Sequence, residues 1–130
     1  MRHTFSARLF ALAVMVASGS AVAHHSFAMF DMSSQKTVAG TVKKVQWTNP
    51  HIWIWIDVAN GKGGTEVYGF EGMSPNFLER RGWKRTTLKP GDAITVLYRP
   101  LRDGTNGGMF LSTKLPDGTA LSMGGGKPGD

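Results

Sequence analysis

The sequence predicts an all-β domain with one short helix, closed as a small five-stranded OB-like barrel, with a short β-sandwich as the alternative. Three observations carry this. Residues 51–58 alternate without a break, so that Ile52, Ile54, Ile56 and Val58 share one face and Trp53, Trp55 and Asp57 the other. The elements run strand, strand, strand, helix, strand, strand, which is the order of an OB barrel. The first strand changes parity near Lys43-Lys44, the mark of a β-bulge that bends a strand toward closure.

The first strand covers Thr37 to Trp47, with Val38 and Val42 on one parity and Val45 and Trp47 on the other. Thr48-Asn49-Pro50 breaks the pattern before the isoleucine strand. Asn60-Gly61-Lys62-Gly63-Gly64 is a turn, and Glu66 to Glu71 returns as the third strand of a hairpin. Ser74 to Gly82 reads as a short helix. Ser74 suits the N-cap, Pro75 the first helical position and Gly82 the residue past the end, with Arg80 and Arg81 in the last turn, where the dipole favours cations. Pro90-Gly91-Asp92 turns into a fourth strand, Ala93 to Leu101, and residues 103–108 close a hairpin to a fifth, Met109 to Leu115. The expected core is Val42, Ile54, Ile56, Val67, Ile94, Val96 and Leu111, in a barrel without parallel strands. The barrel is expected over residues 37–121, with a disordered tail at 122–130, where glycines and a proline leave nothing to bury.

The first 23 residues predict a targeting segment. Arg2 and Arg8 precede a nine-residue apolar run, Leu9 to Ala17, and Ala21-Val22-Ala23 supplies a small-x-small cleavage site. Spanning a bilayer takes about 20 apolar residues, so the run is a signal peptide and no transmembrane segment is expected after processing. Cleavage after Ala23 places His24 first, on an extended arm over residues 24–36 with Phe27 and Phe30 as anchors. The expected address is the periplasm, where a formal net charge of +6 for the whole chain does not imply nucleic acid as partner. The absence of cysteine excludes disulfides, thiolate metal sites and Cys nucleophiles.

Several segments occur together in one order: Ala23-His24-His25-Ser26-Phe27, Trp47-Thr48-Asn49-Pro50-His51, Gly72-Met73-Ser74-Pro75-Asn76, Arg80-Arg81-Gly82-Trp83 and Leu88-Lys89-Pro90-Gly91-Asp92. The chain resembles a family of small exported bacterial proteins catalogued as a domain of unknown function. The resemblance implies a periplasmic, OB-like, non-catalytic domain and transfers no site residues.

Two constellations point to binding. A processed His24 would offer its α-amine and Nδ1 to one metal ion, and His51, behind Asn49-Pro50, is the expected third ligand, with His25 less suited to the same plane. Nitrogen ligands in a tetragonal set select Cu(II). The sequence leaves the cofactor unknown, and copper is the one this set could hold, with Met29, Met32 and Met73 as candidates for a soft axial contact or for Cu(I). The alternative is an interaction protein whose Trp53 and Trp55 grip a peptide, glycan or periplasmic partner protein. Basic Arg80, Arg81, Lys84 and Arg85 around Trp83 read as a solvated helix end. The carboxylates Asp57, Glu66, Glu71 and Glu79 are dispersed, and no nucleophile elbow, P-loop or His-Glu-x-x-His is present, so the sequence points away from an enzyme.

Overall fold

The computed structural model describes residues 27–124. The proposed signal peptide, His24, His25 and residues 125–130 lie outside that range. Strands β1 (Lys36–Gln46), β2 (Trp53–Ala59) and β3 (Thr65–Glu71) are followed by helix α1 (Pro75–Glu79), then β4 (Ala93–Pro100), β5 (Gly107–Lys114) and β6 (Ala120–Ser122). They form one sheet in the order β3-β2-β1-β4-β5-β6, and β3 also pairs with β5, closing five strands into a barrel. One closed sheet is a barrel, and the β-sandwich alternative falls. Among the described residues, no helix is long and apolar enough to cross a membrane.

The bulge stands where the parity switch placed it. Val42 pairs with Ile56 and Lys44 with Trp55, so Lys43 is the extra residue. Val42 and Trp47 are consequently both buried although they lie on opposite parities. The closing pair corrects the expectation of a barrel without parallel strands: β3 and β5 run parallel, with Gly69 beside Gly107 and Glu71 beside Met109. After β3 the chain crosses by α1 and runs β4 against β1, so β5, antiparallel to β4, arrives in the direction of β3.

Ile52, Ile54, Ile56 and Phe70 are fully buried, and Val96, Phe110, Trp83 and Leu78 pack around them. Two expected core residues are corrected. Val67 is 43% exposed, because the hairpin register sets Tyr68 and Phe70 opposite Ile56 and Ile54 and turns Val67 outward with Asp57. Leu111 is only half-buried; Phe110 takes the core position, edge-on to Phe70 and Trp83.

Helix α1 has the expected N-cap, Pro and Gly, but it ends at Glu79, so that Arg80 is its C-cap and Arg81 lies beyond it, neither in the last turn as expected. The Ser74 hydroxyl accepts from the Phe77 N–H at 3.4 Å, Pro75 opens the helix, and Gly82 follows it with φ +87°, a conformation costly for a side chain with Cβ. The boundary drawn at residue 122 also moves. β6 extends the sheet, and Met123, 3% exposed, donates its N–H to Leu111 O at 2.8 Å.

Replacing Ile54 with Ala should cost about 2–5 kcal/mol, the range for emptying a fully packed aliphatic position, because Ile54 is 0% exposed. Urea unfolding measures it; a loss below about 1 kcal/mol would place the core on the other face.

Candidate functional site

The β2–β3 ladder continues past both strand ends. Gly72 N–H donates to Ile52 O at 2.9 Å, and Ile52 N–H to Met73 O at 3.1 Å. Trp53 stands opposite Glu71, and beyond that pair the register slips by one, with Gly72 and Met73 both bonded to Ile52 in the manner of a β-bulge. His51 lies two residues before Trp53, whose partner across the sheet is Glu71, so the two side chains come from neighbouring segments. The bridge is made: His51 Nδ1 is hydrogen-bonded to Glu71 Oε1. The Glu71 side chain is 6% exposed and that of His51 32%, so a buried carboxylate holds a ring that reaches solvent.

This pair stands on an apolar cavity of about 290 Å³, lined also by Phe27, Met73, Met109 and Met123. The cavity lies where the parallel β3–β5 seam, the approach to α1 and the residues after β6 converge. The arm reaches it from the other side. Phe30 is buried and bridges to Leu101, Asp31 N–H donates to Pro100 O at 2.8 Å, and Arg102 Nε donates to Phe30 O at 3.0 Å. Arg99 adds a hydrogen bond to Met32 O. The turn after Phe30 is closed by Asp31, whose carboxylate accepts from the Ser33 and Ser34 hydroxyls and the Ser33 N–H; these bonds lower its pKa to about 2.

Phe30 is thus the anchor the sequence anticipated, while Phe27 is 60% exposed at the cavity. His25 precedes Phe27 by two residues and His24 by three. His24 and His25 themselves lie outside the described residues. Among the described residues, no three of His, Cys, Asp and Glu gather into a metal cluster, so a metal at His51 needs donors of another kind or from outside this range.

The other sequence candidates divide. Met73 lines the cavity, but Met29 and Met32 are exposed on the arm and do not. Trp53 and Trp55 are half-buried on the outer face and stack on one another, centroids 5.8 Å apart at 18°. The Lys44 ammonium sits 5.0 Å from the Trp55 ring centre, and Trp55 lies so close over Gly69 that a Cβ there would meet Nε1 at 3.1 Å. Indole surface is spent on these contacts, which reduces what a sugar or peptide could stack upon. Trp83 is buried, donates Nε1–H to Ser122 O at 3.2 Å and belongs to the core. Arg81 lies over the Phe77 ring at 3.5 Å. Asp57 pairs with Lys43 at 3.4 Å and Glu66 accepts from Asn106 at 3.3 Å, on opposite faces of the hairpin, so they form no carboxylate pair.

Glu71, Met109 and Met123 are the residues that sequence reasoning passed over. Glu71 had a signal: counting back from the Asn60–Gly64 turn pairs residue 71 with residue 53, two residues from His51.

The chain belongs to a family of unknown function (DUF6152), whose sequence model matches residues 12–111. No curated protein and no solved structure matches it.

Proposed function

We propose that this DUF6152 protein is a small exported binding module that holds copper through its processed N-terminus and His51. The observation that supports it most is the His51–Glu71 hydrogen bond at the cavity that Phe27 also lines. A carboxylate that accepts from Nδ1–H leaves the coordinating lone pair on Nε2 and fixes the ring, which is how metal-binding imidazoles are commonly oriented. The arm is fixed to the barrel at Phe30, so a chain cut after Ala23 would carry a free amine and two imidazoles within a few residues of the same cavity. His24 would contribute its amine and Nδ1, His51 its Nε2, and His25 a nearby imidazole. Such nitrogen-rich sets favour Cu(II) over the other divalent first-row ions.

The test begins with protein recovered from the periplasm, whose intact mass should correspond to a chain starting at His24. Cu(II) titration should then show one ion per chain. His51→Ala should weaken binding by at least about tenfold, taking the loss of an outer-shell partner as the lower bound for a ligand, and His25→Ala should weaken it less. Unchanged affinity in folded His51→Ala protein would refute the proposal.

A further inference from the structure

We infer that the cavity beside His51 is a soft-metal site that takes copper in its monovalent state through the thioethers of Met73, Met109 and Met123. The inference rests on the copper reading above and extends it to the second oxidation state. Five methionines follow Ala23, and three of them line this one cavity although they come from three separate segments. The sheet explains how they meet. Met109 stands beside Glu71 across the parallel seam, and Met73 follows Glu71 by two residues. Met123 packs so closely on Gly72 that a Cβ there would meet its Sδ at 2.8 Å and its Cε at 2.7 Å. All three thus surround the short stretch that holds the partner of His51.

Methionine is ordinarily a gap-filler, and buried Met123 fits that use. Met73 and Met109 are different: both are half-buried and line open space. A thioether is a neutral, soft donor that selects Cu(I) and has little attraction for hard or borderline cations. The electrostatics favour the same ion. Moving a dication into an apolar cavity carries a larger desolvation cost than moving a monocation. Glu71, 5% exposed, sets a carboxylate in the wall of this cavity. His51, bonded to that carboxylate, adds an imidazole at the rim.

Cu(I) itself is the probe, titrated without oxygen into the mature protein against a chromophoric Cu(I) chelator. Leucine replaces methionine at nearly constant apolar volume, so the variants should keep the fold. Met73→Leu, Met109→Leu and Met123→Leu should each weaken Cu(I) binding by about tenfold or more and leave Cu(II) affinity unchanged. Met29→Leu and Met32→Leu, on the exposed arm, should change neither. X-ray absorption of the Cu(I)-loaded wild-type protein should show copper–sulfur scattering, a result independent of whether any variant folds. Scattering from nitrogen and oxygen alone, or full Cu(I) affinity in the triple leucine variant, would overturn the thioether site. Loss of Cu(I) in the methionine variants from a protein that binds no Cu(II) would support it while overturning the amine–imidazole site.

Discussion

Gly107→Ala should destabilise the domain by about 2–6 kcal/mol, adding the strain of a disfavoured backbone to the cost of overpacking. Gly107 opens β5 at φ +124°, a region that L side chains rarely enter. A Cβ built there would lie 2.0 Å from the Gly69 carbonyl oxygen, which is backbone and cannot swing aside. Gly69 is its partner across the parallel β3–β5 seam, which among the described residues is the pairing that joins the two ends of the five-strand order. The substitution therefore opens the barrel at its closure and does not merely crowd a loop. Denaturant unfolding should show a lower midpoint, and hydrogen exchange should show protection lost first at Gly69–Glu71 and Gly107–Met109. Wild-type stability in Gly107→Ala would mean that the seam does not close the fold. Loss of the seam should also impair copper binding, since Glu71 and Met109 face each other across it.

The parts of this fold legible in the sequence are those set by local chemistry. The isoleucine strand follows from strict alternation, the bulge from a parity switch, and α1 from Ser74, Pro75 and Gly82. Val67 shows where such reading stops. A β-branched residue in a strand suggests a buried face, but the face is chosen by register, and pairing Ile56 with Tyr68 sends Val67 to solvent. Three-residue β6 has too few positions to show a period, and it exists because β5 offers an edge and Met123 has a cavity wall to complete. The parallel seam was hidden for another reason: a non-local pairing leaves no local trace, and only the direction of each preceding crossover determines it.

The site divides in the same way. His51 was conspicuous as a histidine at a strand start, and Phe30 as an aromatic in an aperiodic arm. Glu71 looked like one of several scattered carboxylates because it lies twenty residues from His51 along the chain. Met109 and Met123 were invisible as a group, since they come from distant segments and share only a cavity wall with Met73. The aromatic pair shows the contribution of neighbours. Trp53 and Trp55 were correctly placed on the outer face, yet side chains two apart on one strand are near enough to stack, and Lys44 from the bulged strand covers part of what is left.

Adding one residue before His24 should abolish high-affinity Cu(II) binding, and Glu71→Gln should weaken it by about 10–100-fold, the range for removing an outer-shell partner of a ligand. The extension turns the α-amine into an amide, removing one donor and the chelate ring it forms with Nδ1, while touching nothing in the barrel. It should leave thermal unfolding of the metal-free protein unchanged, which a folding defect would not. Gln at position 71 keeps the length and one acceptor oxygen, so it can still hold the His51 ring, but without the negative charge that offsets the cation. Cu(II) affinity in the wild-type protein should also fall as the solution is acidified, because amine and imidazole must release protons to coordinate. The extended chain, lacking the amine, should lose less affinity over the upper part of that titration. Equal pH profiles for the extended and native termini, with equal affinities, would show that the amine takes no part and that His51 serves the barrel alone.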